Sequence, residues 1–220
     1  MNINFEKATI NLDYRKHDII NYLIEQNAYQ SYLEIGYGNG DTYHQVYVEK
    51  KVGIDKGDGT PSNDRYVTRV ASDEYFQNLR AAEDKTSFDI IFVDGAHLKE
   101  NVKRDIENSL DFLSPNGTIV VHDCNPPNKY FQEREQSPHA PGWTGDGWKA
   151  FVQLRASRED LSMQVVDTDY GCGIIRPGSQ QKLEVPAVLE YKDFEVNKEK
   201  WLNLISVEDF KGLYKGHTSE

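Results

Sequence analysis

The fold of this chain is decided by residues 31–40, SYLEIGYGNG. The apolar first half predicts a buried β-strand, and the glycines at positions 36, 38 and 40 end that strand in a tight turn. Such a turn lets the backbone approach a nucleotide-like ligand, because a Cβ there would collide with it. Dinucleotide-binding folds usually carry the spacing G-x-G-x-x-G, whereas this chain carries G-x-G-x-G. The turn therefore predicts a cofactor site that differs from a plain dinucleotide site.

Apolar segments alternate with amphipathic segments along the rest of the chain, which is typical of an α/β sheet with helices on both faces. Two apolar segments joined by Asp169, Tyr170 and Gly171 predict a terminal hairpin. Five β/α steps followed by a hairpin predict a seven-stranded sheet in the order 3-2-1-4-5-7-6, with the last strand antiparallel. The predicted strands lie at residues 31–36, 51–55, 67–73, 88–95, 118–123, 163–169 and 171–177, with a turn at 115–117. The predicted helices lie at residues 14–27, 42–49, 99–113 and 148–157, with a further helical stretch near 197–205.

The domain organisation follows from length and composition. The chain has 220 residues, of which 38% are hydrophobic, enough for one well-buried α/β domain over residues 1–220. Residues 1–30 form its N-terminal helical segment, and residues 180–220 form a C-terminal extension. The polar loop at 124–147 is rich in Pro and Gly and too long for an ordinary connection, which predicts a substrate loop or lid.

Charge and composition exclude several classes of function. The formal net charge of -11 repels phosphate groups, so we expect no binding to nucleic acid or to an anionic membrane surface. No apolar run is long enough to span a membrane, and the first residues lack the apolar segment of a signal peptide. Cys124 and Cys172 lack the spacing of a zinc site or a disulfide framework, which fits a reducing compartment. We expect a cytoplasmic protein, and a homo-oligomer is compatible with this composition.

An acidic residue, Glu34, stands on the first predicted strand just before the glycine turn. This arrangement resembles the first motif of class I methyltransferases, which bind S-adenosylmethionine on a Rossmann-like sheet. The resemblance implies that fold and that cofactor, with Gly36, Tyr37, Gly38 and Gly40 at the site. Glu34 suits the ammonium group of the amino-acid end of the cofactor, directly or through water.

The second and third predicted strands also end in polar residues. Asp55 ends the second strand, where an acid can accept both ribose hydroxyls of a nucleoside, and Lys56 follows it. Ser72 and Asp73 follow the third strand, where class I methyltransferases commonly contact the adenine amino group. The alternative for Asp73 is that it caps the N-terminus of a helix.

A second group of polar residues follows the fourth and fifth predicted strands: Asp94 and His97, then His122 and Asp123. The carboxyl ends of neighbouring parallel strands meet at the crevice where ligands bind in open α/β sheets. Two carboxylates there could share one hard cation. A cation could lower the pKa of a substrate hydroxyl, and His97 could accept its proton.

The stretches FDIIFVDGAH (88–97) and LSPNGTIVVHD (113–123) resemble the bacterial O-methyltransferase family, which includes the macrocin-type, metal-dependent enzymes. The resemblance covers residues 32–173, and it implies Asp94 as a ligand of Mg²⁺ or a similar cation, His97 as the base and Asp123 as a second ligand. Two departures affect the ligand set. Macrocin-type enzymes carry two acids where this chain has His122 before Asp123, and catechol-type relatives carry Asn where this chain has Cys124. The third ligand stays open between His122, Asn125 and water.

The loop before the helix at 148–157 contains Trp143, Asp146 and Trp148. Indole rings stack on the apolar faces of sugars, and an acid can bind sugar hydroxyls, so these three residues are candidates for substrate contact. The alternative is that Asp146 starts the next helix and Trp148 packs in the core.

Together these features predict transfer of a methyl group from S-adenosylmethionine to a hydroxyl oxygen of a small molecule, such as a sugar or another natural product, assisted by a divalent metal. One alternative is an NAD-dependent oxidoreductase or epimerase, and another is a non-catalytic cofactor-binding protein. A third alternative is metal-free methyl transfer with His97 or His122 as the base.

Overall fold

Eight β-strands form one mixed sheet in the part of the chain that this computed structural model describes, residues 10–57, 65–83 and 85–216. In chain order the strands are β1 Ser31–Ile35, β2 Lys50–Asp55, β3 Val67–Arg69, β4 Phe88–Val93, β5 Leu113–Val121, β6 Leu161–Val166, β7 Cys172–Pro177 and β8 Leu204–Ile205.

The order of the strands across the sheet is β3-β2-β1-β4-β5-β7-β6-β8. The first five pair in parallel, whereas β7 runs antiparallel to both β5 and β6. The predicted Rossmann-like order of seven strands, with the last one antiparallel, is thereby confirmed. The additional strand is β8, a short edge strand parallel to β6 that arises where a helical stretch was expected to end.

Helices cover both faces of the sheet. They are α1 Lys16–Asn27, α2 Ser72–Ala81, α3 Lys99–Asp111, α4 Trp148–Ser157, α5 Tyr191–Leu202 and α6 Val207–Leu213. Residues alternate between two cores along each strand: Ile91 and Val93 pack with α2–α5, whereas Ile90 and Phe92 pack with α1 and α6. None of the described helices is long and apolar enough to cross a membrane.

The helix expected over residues 42–49 does not form. The structure has a short 3₁₀ turn there, Tyr43–Gln45. Lys51 Nζ, on β2, donates to the main-chain oxygens of Tyr43 (2.8 Å) and Val46 (3.0 Å). Carbonyl groups that a helix would use internally are thus satisfied by a side chain from the sheet, and the β-branched residues of this stretch favour extended backbone.

The turn expected at residues 115–117 lies within β5, which begins at Leu113. Phe88 pairs with Leu113 and Ile90 with Thr118, so the register shifts between these pairs and β5 bulges. The hairpin after α4 forms as expected, with Asp169, Tyr170 and Gly171 at its tip.

The alternation of side chains along β1, β4 and β5 places Glu34, Asp94 and His122 on the face that α1 covers. They continue the series of Tyr32, Phe92 and Val120, which pack in the core beneath α1. The ladder extends beyond the strand ends, since the amide of Asp94 donates to the oxygen of Ile35 (2.9 Å) and that of His122 to the oxygen of Val93 (3.0 Å). The polar residues at these strand ends are therefore held on a rigid backbone.

Candidate active site

A crevice of about 340 Å³ opens at the carboxyl ends of β1, β4 and β5. Its volume falls within the range of small-molecule sites, and its place is where ligands bind in open α/β sheets. Residues from the glycine turn, from the ends of β4 and β5, from α1 and from two loops line it: Lys16, Glu34, Gly36, Tyr37, Gly38, Asn39, Asp41, Thr42, Asp94, His97, His122, Asp123, Trp143 and Tyr170.

The glycine turn lies directly against the end of β4. Gly36 has φ +90°, and a Cβ on it would overlap the main-chain oxygen of Asp94. Gly38 also has a positive φ, +55°, but a Cβ there would meet open space. Gly40 has φ +84°, and a Cβ there would lie 2.6 Å from the hydroxyl of the buried Tyr37. Positions 36 and 40 thus require glycine for space as well as for conformation.

Glu34 is buried beneath this turn and accepts a hydrogen bond of 2.5 Å from the Tyr32 hydroxyl. Burial raises the pKa of Glu34 to about 8, with a further increase from the charge of Asp94, against the opposing effects of the Tyr32 hydrogen bond and Lys16. The carboxyl group of Glu34 is therefore mostly protonated near neutral pH. A cationic ligand that binds beside it would favour loss of this proton, because the carboxylate attracts the cation.

The other residues expected at the cofactor lie outside the lining of this crevice. Asp55 accepts hydrogen bonds from the amides of Gly38 (3.0 Å) and Gly57 (2.8 Å), so its carboxylate ties the glycine turn to the end of β2. Lys56, the next residue, is exposed. The contacts predicted for Asp55 and Lys56 with a cofactor stay predictions.

Ser72 and Asp73 both engage α3. Ser72 donates to Asp105 Oδ1 at 2.5 Å, and Asp73 lies 3.1 Å from Arg104 Nε and accepts from Asn108 at 3.1 Å. The alternative of a side-chain cap on α2 is not observed, because the capping residue is Ala71. Contact of these two residues with adenine stays a prediction. The adenine would have to bind Ser72 and Asp73 while they remain bonded to α3.

Asp94 is held between two basic side chains. Its Oδ2 lies 2.7 Å from Lys16 Nζ, and its Oδ1 lies 3.2 Å from His122 Nδ1. Burial works to raise the pKa of Asp94, but the charges of His122 and Lys16 outweigh it and hold that pKa below its usual range. Asp94 is therefore a carboxylate at neutral pH.

Asp123 binds two imidazoles. Its Oδ2 lies 2.5 Å from His97 Nδ1, and its Oδ1 lies 3.2 Å from His122 Nδ1. Asp123 adopts a left-handed backbone conformation, φ +60°, which is costly for a residue with a side chain and is common at functional sites. Burial works to lower the pKa of His97, but the hydrogen bond and charge of Asp123, with the charge of Asp94, raise it.

The donor set at the ends of β4 and β5 fits a divalent cation. Asp94, His97 and Asp123 each offer a ligand atom, and these atoms lie within 4.8 Å of one another. Two carboxylates with an imidazole are ligands that Mg²⁺ or Mn²⁺ accepts. His122, one candidate for the third ligand, instead lies between the carboxylates as a donor to both. The charges of these carboxylates outweigh the effect of burial and raise the pKa of His122 well above its ordinary value. The geometry therefore does not favour His122 as the third ligand.

Asn125, the other candidate for the third ligand, points elsewhere. Its side-chain amide donates to Asp167 Oδ1 at 2.9 Å, and its main-chain amide donates to the oxygen of Tyr170 at 2.8 Å. Asn125 thus joins the end of β5 to the β6–β7 hairpin.

Of the three loop residues expected at the substrate, only Trp143 lines the crevice. Its ring lies 5.0 Å from the His97 ring at an angle of 33°, and its Nε1 donates to the oxygen of Glu133 at 2.6 Å. The expectation is wrong for Trp148, which is 0% exposed and packs on Phe194 with ring centroids 4.3 Å apart. A fully buried indole cannot stack on a substrate.

Asp146 is also a structural residue. Its Oδ1 accepts from the amide of Lys99 at 2.9 Å, at the N-terminus of α3, and its Oδ2 lies 3.1 Å from Arg134 and 3.3 Å from Lys149. An acid at a helix N-terminus satisfies an otherwise unpaired amide. The predicted substrate contact is therefore wrong for Asp146, which anchors the loop beside His97.

Several residues in or beside this crevice were not predicted from the sequence. Lys16 comes from α1, and the signal available was a lysine in the first helical turn, where a positive charge opposes the helix dipole. Asp169 and Tyr170 come from the hairpin tip, where both have positive φ. Asp169 Oδ2 accepts from the amide of Lys16 at 3.0 Å and lies 3.8 Å from His122 Nε2.

Comparisons with known proteins agree with this fold. Residues 33–124 match the family model described as "Methyltransferase domain". An O-methyltransferase from Bacillus cereus in complex with SAH has a TM-score of 0.55 at 18% identity, covering 78% of this chain and 83% of that chain. A putative O-methyltransferase from Klebsiella pneumoniae has a TM-score of 0.53 at 16% identity, covering 78% and 85%.

A third solved structure, an SAH-bound methyltransferase from Podospora anserina, has a TM-score of 0.55 at 18% identity, covering 74% of this chain and 78% of that chain. No curated protein matches the chain. The resemblance to class I methyltransferases and their Rossmann-like fold, inferred from the sequence, is thereby confirmed.

Proposed function

Because the chain has the class I methyltransferase fold and residues 33–124 match a methyltransferase domain, we propose that it transfers a methyl group from S-adenosylmethionine to a hydroxyl oxygen of a small molecule. One observation carries this proposal: the glycine turn with Glu34 opens into the same crevice as Asp94, His97 and Asp123. A cofactor site and a proton-accepting site are therefore adjacent.

The cofactor half of the crevice suits a nucleoside that carries an amino acid. Glu34 binds the ammonium group, and the backbone at Gly36 and Gly38 lets the ligand approach closely. Asp55 binds the ribose from the end of β2, where its carboxylate also holds the turn. When bound, S-adenosylmethionine supplies a methyl group on a sulfonium, which an oxygen nucleophile accepts in line.

His97 accepts the proton of the acceptor hydroxyl. Its Nδ1 is engaged by Asp123 at 2.5 Å, which orients the ring and leaves Nε2 for the substrate. The charge of Asp123 also stabilises the imidazolium that forms. The acceptor oxygen bonds to the methyl carbon as the carbon–sulfur bond breaks, and the hydroxyl proton goes to Nε2 of His97.

Asp94 and Asp123 are the residues that would hold a divalent cation such as Mg²⁺. The cation would lower the pKa of the acceptor hydroxyl. The acceptor class, a sugar or another hydroxylated natural product, is supported by Trp143, whose ring stacks beside His97 at the crevice.

The first test is ligand binding and turnover of the purified protein. We expect S-adenosylhomocysteine to bind with micromolar-range affinity by calorimetry, and a screen of hydroxylated sugars and phenols to yield a methylated product. Chelation by EDTA should abolish turnover and added Mg²⁺ should restore it. Binding of NAD in place of S-adenosylhomocysteine would overturn the proposal, whereas full activity in excess EDTA would remove only the metal.

Protonation of Glu34 should couple cofactor binding to pH. The pKa of Glu34, about 8, keeps its carboxyl group protonated in the free protein at pH 7, and an ammonium ligand favours the ionised form. We therefore expect S-adenosylhomocysteine binding at pH 7 to release a proton and to strengthen as the pH rises towards 8. Calorimetry in two buffers of different ionisation enthalpy measures this release. It should vanish in Glu34→Gln and persist in the exposed control Glu107→Gln; wild-type binding without proton release would contradict the role of Glu34.

A further inference from the structure

Lys16 places a protein cation at the predicted metal site. Its Nζ lies 2.7 Å from Asp94 Oδ2, and the side chains of Lys16 and Asp94 are only 25% and 12% exposed. The other oxygen of this carboxylate, Oδ1, lies 3.2 Å from His122 Nδ1. Both oxygens that Asp94 could offer to a metal are therefore engaged by basic groups of the protein.

Tertiary contacts hold Lys16 beside Asp94, and the electrostatics of α1 do not favour a lysine at this position. Lys16 is the first residue of α1, where a positive charge opposes the helix dipole and gains nothing from it. Its main-chain amide is fixed by Asp169 Oδ2 at 3.0 Å, and α1 is anchored in the core by Ile19, Ile20 and Leu23. The ammonium group is thus delivered to Asp94 by two constraints that are independent of their ion pair.

Charge at the site is already compensated within the chain. Asp94 and Asp123 face the ammonium of Lys16 and the imidazole of His122, and the pKa of Lys16 is raised despite its burial because of Asp94. Without these basic groups, two carboxylates with oxygen atoms within 4.8 Å of each other would repel and would favour an external cation. A divalent cation must therefore displace an ion pair before it gains Asp94 as a ligand.

We propose that Lys16 competes with a divalent cation for Asp94 and thereby sets how tightly the protein binds a metal at Asp94 and Asp123. The inference rests on the proposed function for the identity of this site, and it concerns a residue that the metal itself would not contact. Lys16 acts through Asp94 and is a positioning residue in this sense.

The test compares metal affinity in the absence of any methyl donor. Mn²⁺ is titrated by calorimetry, and by the loss of the free-ion EPR signal, into wild type, Lys16→Met and Lys103→Met. Lys103 lies on the exposed face of α3, paired with Glu107, so its variant removes the same charge outside the lining of the crevice. We expect Lys16→Met to bind Mn²⁺ at least about tenfold more tightly than wild type, since a unit charge this close acts at an effective dielectric constant well below that of water. The control should match wild type.

Two further variants keep the test decisive. Lys16→Gln removes the charge but keeps a polar side chain that can donate a hydrogen bond, and it should also bind Mn²⁺ more tightly than wild type. Lys16→Arg keeps the charge and should stay close to wild type. Equal or weaker Mn²⁺ binding by the neutral variants overturns the proposal. Binding of S-adenosylhomocysteine, measured on the same samples, separately tests the proposed function.

Discussion

Replacing His97 with alanine is expected to lower the turnover number by about 10²–10⁴-fold, the usual contribution of general acid–base catalysis. The reason is that the imidazole held by Asp123 at 2.5 Å is the base that we propose for the acceptor hydroxyl. Affinity for S-adenosylhomocysteine should change little, because the cofactor contacts that we propose lie at Glu34 and the glycine turn, in another part of the crevice lining. Steady-state kinetics with the acceptor from the screen, together with calorimetry, measure both quantities.

The control for this variant is His139→Ala, which removes an exposed imidazole of the loop that follows β5. His139 contacts the Tyr130 ring and does not line the crevice, so its loss should leave turnover near that of wild type. Asp123 raises the pKa of His97, so the neutral imidazole that can accept a proton forms at a higher pH than for an ordinary histidine. Wild-type turnover should therefore rise with pH as His97 loses its proton. A loss of less than tenfold in His97→Ala would remove this residue from the chemistry.

Replacing Gly36 with alanine is expected to destabilise the protein and to abolish measurable cofactor binding. A Cβ at this position overlaps the main-chain oxygen of Asp94, and φ +90° is strained for any residue with a side chain. Strain and overpacking together should cost about 2–5 kcal/mol of unfolding free energy. In a domain of this size each kcal/mol lowers Tm by about 2–4 °C, which thermal unfolding resolves easily.

Gly38→Ala is the matched control, because it introduces the same methyl group two residues later. Its Cβ meets open space and φ is +55°, so only the left-handed conformation is penalised, at about 1–2 kcal/mol. The difference in Tm between the two variants isolates the collision with Asp94. Equal stability of the two would show that β1 and β4 separate to admit the side chain, and the turn would then lack the rigidity that we assign to it.

Most of the fold could be predicted from local patterns. Apolar runs stopped by glycine or polar residues identified the strands, and the hairpin after α4 predicted the antiparallel β7. The stretch at residues 42–49 could not be predicted in this way. Its conformation depends on Lys51, whose ammonium binds the carbonyl groups of Tyr43 and Val46 from the neighbouring strand.

The candidate site could be predicted in part, for a similar reason. Strand periodicity and parallel order place Glu34, Asp94 and Asp123 at one edge of the sheet, and the structure brings all three into one crevice. The contacts of the two loop tryptophans could not be predicted, because an indole near the start of a helix can pack either on a sugar or in the protein core. Trp148 fills the space beside Phe194, whereas Trp143 reaches His97.

The sequence by itself determined which segments form strands and helices, the glycine turn and the meeting of two carboxylates, because these follow from periodicities of two and of 3.6 residues and from the common direction of parallel strands. Only the tertiary structure decided which charges face those carboxylates. Lys16 and Asp94 are separated by 78 positions in the chain, and their contact depends on how α1 packs on the sheet. No local pattern encodes that packing, since it is set by the complementary shapes of buried side chains from distant segments.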